Sequence, residues 1–578
     1  MSNNNYLNYS LMTLLSLSAA FLNGCSEIPT PLSINVSSIT ELGFTQMPTL
    51  INDPNSATPL VAVVKFSTAK PVKTTLTVID GSHRRDIYFD KNKNPELGLP
   101  IIGLRADHTY SVEVKIDDDN GHQLKADTIL SFKTPALPSD LYEFPPLKTT
   151  VSKSDKIEPG FTLISVRRRM IGPDTPENRN FTTKFGLLVA IDNEGQVVWY
   201  YRSKVRIADF DYLPEKQHFI FLTVDFRAFE MDLLGNQIAT WYSTGPKIER
   251  EGIPIETMAM HHDIDILPSG NFLTQGTQPK AIDNYYTSET DSKAPRKRQE
   301  RVIGDELLEF QPDGKVVWRW NVFDYLDPFR LGYGTFDDYW GKRGFPDTVD
   351  WTHGNAQLYD SRDNSVIMSL RHQDAIIKVD RQTNQIKWIF SASTRGWSPE
   401  LKTKLLKFDK NTRPPYHQHG LSLTPQGTLL VFNNGNFQAL PFDKPKMPSD
   451  IHTQAMEYQI DEKNLTAKEV WASDIAGEPN ILSVAMGNTE LLPETNHIFV
   501  GFGGLLPKNQ LQGLTWEKAE HLNQVRWTNL EDFRGWGLIR EYTHTKPPRV
   551  VWETVMENLS KEVPVEWVLF SAQKISHF

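Results

Sequence analysis

Apolar and polar residues alternate along most of this chain in short runs, and the runs stop at clusters of Asp, Asn, Gly and Pro. Leu60-Val61-Ala62-Val63-Val64-Lys65-Phe66-Ser67 and Tyr110-Ser111-Val112-Glu113-Val114-Lys115-Ile116 show the pattern. A period of two over four to eight residues, bounded by turn formers, predicts strands rather than helices. Gly and Pro are spread along the whole chain, which adds turns and keeps the strands short. The expected class is all-β.

The strands fall into two regimes. From about Pro29 to Thr134 they are separated by polar turns such as Asp80-Gly81-Ser82 and Asp117-Asp118-Asp119-Asn120-Gly121. About a hundred residues of this kind predict an immunoglobulin-like β-sandwich, residues 25–134, with no catalytic constellation of its own. Residues 135–159, with Pro138, Pro145, Pro146 and Pro159, read as a linker. Beyond it a hairpin recurs that ends in an aromatic residue after a polar turn. Leu187 to Trp199 is the type example, with Ile191-Asp192-Asn193-Glu194-Gly195 at its bend. The others run from Phe229 to Trp241, Leu308 to Trp318, Ile377 to Trp388, Met456 to Trp471 and Leu538 to Trp552. Six hairpins imply six blades, so residues 160–578 are expected to form a six-bladed β-propeller. Spacings from about forty to about eighty residues mean that several blades carry insertions. The recurrent Trp is expected to pack blade on blade. The charged insertion Thr287 to Arg301 reads as a solvated loop, and the aromatic run Phe329 to Phe345 as a wall at the channel mouth.

Composition narrows the partners. The chain has 578 residues, 39% of them hydrophobic, which suits ordinary cores, and a formal net charge of -10 excludes a phosphate-neutralising, nucleic-acid-binding role. Its single cysteine, Cys25, closes Leu22-Asn23-Gly24-Cys25 after the apolar run Leu11 to Leu22, the pattern of a lipobox. Residues 1–24 are therefore read as a lipoprotein signal peptide, and Cys25 as the lipidated N-terminus of the mature chain. The n-region carries no Lys or Arg, and Ser26 lacks the Asp associated with inner-membrane retention. The expected location is the periplasm, with a lipid anchor in the outer membrane. With one cysteine no intrachain disulfide can form. Exposed edges of the sandwich would suit a homodimer.

The chemistry lies in a second repeated frame. Tyr416-His417-Gln418-His419-Gly420-Leu421-Ser422-Leu423-Thr424-Pro425-Gln426-Gly427 and His262-Asp263-Ile264-Asp265-Ile266-Leu267-Pro268-Ser269-Gly270 share an order of His, strand, Pro and Gly. His353 heads Gly354-Asn355-Ala356-Gln357-Leu358, and the next strand ends at Arg371. One histidine at a strand start is ordinarily structural, and His261, His372 and His417 are read that way. Three at the mouths of equivalent frames would converge on one channel. Three imidazoles and a guanidinium suit an oxyanion, and one imidazole can attack it. A tri-His metal centre, with His417-x-His419 as a ligand pair, is the competing chemistry, and Arg371 opposes a divalent ion there.

Taken together, His262-Asp263-Ile264, His353-x-Asn355 followed by Arg371, and Gln418-His419 resemble the bacterial aryl-sulfate sulfotransferases that work without the nucleotide donor PAPS. Those enzymes are six-bladed propellers with an N-terminal β-sandwich. The resemblance implies that His419 is the nucleophile that is transiently sulfated. It further implies that His262, His353, Asn355 and Arg371 hold the sulfuryl oxygens, that phenolic sulfates are donors and phenols acceptors, and that no metal or other cofactor takes part. Within that reading His262 is the acid and base for the phenolic oxygens. Some members carry a disulfide near the catalytic histidine, and this chain has neither cysteine of it. A metal-dependent ester hydrolase and a non-catalytic ligand-binding propeller are the alternatives.

Overall fold

A computed structural model describes residues 42–153, 156–173, 175–245, 250–506, 511–516 and 534–578. The apolar run Leu11 to Leu22 and Cys25 lie outside the described residues.

The alternating runs of the first hundred residues form two facing sheets. One contains Phe44–Asn52, Ala62–Thr68 and Leu99–Ile101; the other contains His83–Phe89, Lys73–Asp80 and Thr109–Asp117, with Gln123–Lys125 and Leu130–Lys133 both paired to Thr109–Asp117. Tyr110, Val112, Val114 and Ile116 are buried on the inner face, as a period of two requires, and pack with Val64, Phe66 and Leu76.

Six further sheets, each with four antiparallel strands at its centre, make the propeller. Blade 2 runs outward from Ile207–Leu213 through His218–Thr223, Arg227–Asp232 and Gln237–Ser243. Blade 3 is His261–Ile266, Phe272–Tyr285, Lys297–Phe310 and Val316–Asn321; blade 4 is Gly354–Asp360, Ser365–Leu370, Ala375–Asp380 and Ile386–Ser391. Blade 5 is His419–Leu423, Leu429–Asn433, Gln454–Asp461 and Thr466–Ala472; blade 6 is Asn488–Leu491, Ile498–Leu505, Trp536–Tyr542 and Val550–Met556. Blade 1 takes its innermost strand from the C-terminus. Val565–Ile575 pairs with Phe161–Met170, followed by Gly186–Ile191 and Val197–Ser203. The ring is thus closed by one strand from the far end of the chain. Each hairpin predicted from sequence is the outer pair of a blade. Within residues 135–159, Leu147–Ser152 adds a fifth strand to blade 6 by pairing with Val550–Met556. The insertion after Thr287 is the tip of an extended hairpin, with Lys297 to Arg301 already in its return strand.

The recurrent tryptophans explain how the blades are joined. The Trp199 indole N–H donates to Leu233 O, Trp241 to Pro312 O, Trp388 to Glu462 Oε1, Trp471 to Thr545 O and Trp552 to Asn193 O, at 2.9–3.2 Å. In each case the acceptor lies at the outer hairpin turn of the next blade, and Trp552 carries the pattern from blade 6 back to blade 1. In blade 3 the task is split: Trp318 donates to Asn384 Oδ1 at 2.8 Å and Trp320 to Asn384 O at 3.1 Å. Trp320 is the buried member, and Trp318, the one the repeat singled out, is partly exposed. The rings fill the wedges between sheets while the N–H satisfies a turn carbonyl or side chain that would otherwise lie unpaired.

The sandwich packs against the outer side of blade 1 and the turns of blades 1 and 2. Arg105 Nε donates to Asp192 Oδ2 at 2.8 Å, and Thr58 Oγ1 to Leu234 O at 2.9 Å. Leu60, Val61 and Ile102 join propeller clusters. Because strands alternate direction, these hairpin turns lie at the end of each blade opposite the start of its inner strand. The histidine frames therefore open on the other face.

Candidate active site

The inner strands of blades 2 to 5 enter the channel through an irregular backbone. Register shifts interrupt pairing at Ile207/Phe210, His261/Ile264, Gly354/Ala356 and His419/Leu421. His262, His353 and His417 have φ of 61°, 47° and 48°, and Met486, at the same point of blade 6, has 67°. A left-handed non-glycine residue costs on the order of 1–3 kcal/mol, and such strain gathers where side chains must be aimed. Here the result is convergence. His262, His353, Arg371 and His419 line one cavity of about 470 Å³, within the usual range of roughly 300–1,000 Å³ for small-molecule sites.

His419 is held in one tautomer. Its Nδ1 lies 2.7 Å from Asn434 Oδ1. The Asn434 amide cannot be turned round, because its Nδ2 donates to Ser483 Oγ at 2.9 Å, Met486 O at 3.2 Å and Ser483 O at 3.3 Å. Asn434 must accept from His419, so Nδ1 carries the proton and Nε2 keeps its lone pair. Burial, and then the nearby Arg371 cation, pull the imidazole down to about 3, so it is neutral at physiological pH.

The approach to His419 is fixed by hydrogen bonds. Asp374 Oδ1 accepts from both His417 N and His417 Nδ1 at 2.8 Å. Tyr416 N donates to Asn433 Oδ1 at 2.9 Å, and Gln418 Nε2 to Ser369 Oγ at 2.9 Å and Ala375 O at 3.0 Å. Asn355 belongs to this brace: its Nδ2 donates to Gln418 O at 2.8 Å, and the residue lines the channel beneath His419 rather than the cavity containing Arg371.

The other imidazoles are also oriented. His353 Nδ1 donates to Asp350 Oδ2 at 2.5 Å, while Trp340 Nε1 donates to Asp350 Oδ1 at 3.0 Å. Burial pushes the Asp350 carboxyl up to about 6; burial and the Arg371 charge hold His353 well below its ordinary value. His261 Nε2 lies 3.2 Å from Asp305 Oδ1, and His261 Nδ1 lies 2.7 Å from His262 Nδ1. His261 Nε2 donates to Gly276 O at 3.3 Å, so its Nδ1 accepts from His262, which leaves His262 Nε2 bare and facing the Tyr339 hydroxyl at 3.5 Å. Burial, His261 and His353 keep His262 neutral. Arg371 is set by its neighbour: His372 Nδ1 donates to Asp350 O at 2.7 Å, so its Nε2 accepts from Arg371 Nη1 at 2.7 Å, and Arg371 Nη2 donates to Val484 O at 3.1 Å.

Of the aromatic run, Tyr339 lines the cavity, its ring 4.6 Å from that of His353. Tyr333 instead stacks on Phe437 within a separate core. As for metals, Asp350, His353 and His372 bring donor atoms within 4.8 Å of one another. These donors already serve each other and Arg371, whose guanidinium sits on His372 Nε2. The trio His262, His353 and His419 is not gathered this closely among the described residues.

Below the histidines the channel widens into a second chamber of about 400 Å³, which shares His262 and His419 with the first. Its wall carries Asp209, Asp211, Asp263, Asp265 and Glu490. Burial raises all five, Asp211 to about 6, Glu490 to about 7 and Asp265 to about 8. One side of the histidines is thus cationic and the other acidic.

The three histidines and Arg371 singled out in the sequence come together in one cavity, and Asn434, Asp350 and His372, which hold them there, carry no sequence signal of the same kind. Asp350 stands three residues before His353, a spacing that could have drawn attention. Asn434 sits in Asn433-Asn434-Gly435-Asn436, which reads simply as a turn after an apolar strand.

A β-propeller whose axis gathers neutral imidazoles around a guanidinium is a scaffold for binding and reacting with an anion. The Arylsulfotransferase (ASST) family model matches residues 148–534, and the Arylsulfotransferase Ig-like domain model matches residues 49–135. The chain is an enzyme of the arylsulfotransferase family. It is similar to the arylsulfate sulfotransferase AssT of Escherichia coli O6:H1, with 31% identity over 244 residues, 35% of this chain and 40% of that protein. It is also similar to the arylsulfate sulfotransferase AssT of Lelliottia amnigena, with 25% identity over 506 residues, 73% of this chain and 79% of that protein.

Proposed function

We propose that this enzyme moves a sulfuryl group from a phenolic sulfate ester to a phenol through a sulfohistidine at His419, without a nucleotide donor. The observation that carries the proposal is the fixed tautomer of His419: a neutral imidazole with Nδ1–H on Asn434 and a bare Nε2 in the cavity beside Arg371.

The chemistry follows from charge. His419 Nε2 donates its lone pair to sulfur, the S–O bond to the aryl oxygen breaks, and the phenolate leaves with the bonding pair. Negative charge spreads over the sulfuryl oxygens and the departing oxygen as this happens. Arg371 offers a fixed cation to it, and His353, whose Nδ1–H is held by Asp350, lines the same cavity. The acceptor phenol then gives its proton to His262 Nε2 and attacks sulfur, and the S–N bond breaks to restore neutral His419. The proton on His262 leaves with the next departing phenolate, so the cycle balances. Asn355, bonded to the carbonyl preceding His419, acts in this scheme as a positioning residue. We further read Cys25 as lipidated and the enzyme as anchored in the periplasm at the outer membrane, which metabolic labelling with palmitate and loss of label in Cys25→Ser would test. The sandwich edges are read as a homodimer contact, for which the mass in solution is the measurement.

The test of function is release of p-nitrophenol from its sulfate, with and without phenol, in chelator, for the wild type and His419→Ala. Phenol-accelerated release that disappears in the variant supports the reading. Release that survives His419→Ala would show that another group is the nucleophile. Release that a chelator abolishes would favour the metal hydrolase.

A further inference from the structure

Besides Arg371, the guanidinium groups of Arg167, Arg179, Arg206 and Arg343 share the cavity with the histidines and have no part in the reaction just described. Arg167 comes from the second strand of blade 1, Arg206 from the entry to blade 2, and Arg343 from the loop before blade 4. Arg169, two residues along, is paired with the buried Glu566. Arg167 and Arg206 have no such partner: neither forms a side-chain hydrogen bond or ion pair among the described residues, and Arg167 Nε is buried and unsatisfied. Arg206 is 7% exposed. Of the three carboxylates lining the cavity, Asp225 is committed to Arg227 and Arg250 and Asp350 to His353, and the third, Asp337, forms no ion pair with Arg167 or Arg206. Burial and then mutual repulsion hold Arg167 well below the usual guanidinium range and Arg206 down to about 9. A buried cation without a counter-charge is costly, and a ligand that supplies the charge relieves that cost only while it is bound.

The placement also gives a distance scale. Tyr339 stands between the two groups of residues: the Arg343 guanidinium lies 3.6 Å over its ring, and the same ring meets His353 at 4.6 Å and His262 at 5.9 Å. The Arg343 guanidinium is therefore about one aromatic ring away from the reacting centre, and its charge acts on both Arg206 and Arg167 in the same cavity. A phenol lying along Tyr339 with its oxygen at His262 would direct its opposite end toward them.

We propose that Arg167, Arg206 and Arg343 form a second anion subsite that receives an acidic substituent of the phenolic substrate, carried on the ring across from the reacting oxygen. The proposal rests on the transferase reading and names its substrate class: aromatic rings with a phenolic oxygen at one end and a carboxylate, sulfate or phosphate at the other.

The experiment compares two acceptors of matched size, 4-hydroxyphenylacetate and 4-hydroxyphenylacetamide, with p-nitrophenyl sulfate as donor. In the wild type the acid should exceed the amide in kcat/KM by about tenfold or more, the scale of a hydrogen bond to a charged group. In Arg206→Gln the ratio should fall toward one, and Arg206→Lys should restore part of it. Misfolding lowers both acceptors by the same factor and does not itself move the ratio, so the ratio is read on Arg206→Gln protein that melts cooperatively like the wild type. A wild-type ratio near one, or a ratio indifferent to Arg206→Gln, overturns the subsite while leaving the transferase reading intact. If no phenol is turned over, the transferase reading fails by itself. Calorimetric binding of the two compounds to the wild type and to Arg206→Gln then decides the subsite: tighter binding of the acid that depends on Arg206 supports it, and equal binding refutes it.

Discussion

Replacing Asn434 by alanine removes the acceptor that fixes the His419 tautomer. Asn434 is fully buried, its Oδ1 is 2.7 Å from His419 Nδ1, and its Nδ2 has three acceptors of its own. Without Oδ1 the imidazole is free to carry its proton on Nε2, which removes the nucleophilic lone pair, or to keep it on a buried and unpaired Nδ1. Losing a buried hydrogen-bond partner costs about 1–3 kcal/mol, which corresponds to roughly 5- to 150-fold in the rate of sulfuryl transfer to His419. The burst of p-nitrophenol in a stopped-flow experiment reads that step directly, before any acceptor is needed. Asn558→Ala is the comparison: Asn558 is an equally buried amide that donates to Val563 O and Val565 O, away from the histidines. Both variants should melt at lower temperature than the wild type, and Asn434→Ala alone should lose burst rate. If its burst stays within about twofold of the wild type while its melting temperature falls, Asn434 is only a packing residue and the tautomer argument is refuted.

Arg371→Gln should lower kcat by about 10²–10³-fold, as for loss of one transition-state donor. The same variant tests the electrostatics. The Arg371 cation helps hold His419 down to about 3, and the neutral imidazole reacts, so the burst is lost as pH falls through that value. Removing the cation should move this acid limb to higher pH, and a limb that stays in place would contradict the assignment. Trp552→Ala opens the wedge between blades 6 and 1 and should destabilise the chain by about 3–5 kcal/mol in a urea titration; a loss under about 1 kcal/mol would mean that the joint carries little. Ending the chain at residue 564 removes the inner strand of blade 1 and should leave no cooperative unfolding transition; a sharp melt would show that five complete blades and a broken one suffice.

Much of this architecture is legible in the sequence, because a propeller repeats its local physics. Asp192 to Gly195 must bend back, and Trp199 must find a wedge to fill; the same needs recur in every blade. The histidine frames could be read for the same reason, since equivalent entries to one ring point at one axis. What could not be read was non-local. Asn434 reaches His419 from the next strand of the same blade, with a partner set by three contacts to residues 483–486. Leu147–Ser152 pairs with a strand some four hundred residues away, and no periodicity announces such a partner. In blade 3 the repeat points to Trp318, the first Trp after the turn, whereas Trp320 is the one buried against the neighbouring sheet. Asn355 shows the limit of reasoning by frame: its position in the repeat is clear, but the direction of its amide depends on a carbonyl from blade 5.

The tryptophan joints sit at the outer hairpin turns, and the histidines open on the face at the other end of the blades. Mechanical closure and chemistry therefore occupy opposite poles of the same ring. Loops on the reactive pole can lengthen, shorten or change charge without disturbing a single joint, and a joint can be repaired without moving an imidazole. For an experimenter this makes the molecule modular in an unusual direction, across the thickness of the disc rather than along the chain. New specificities can be grafted between blades 1 to 4 on one pole while the other remains an untouched chassis.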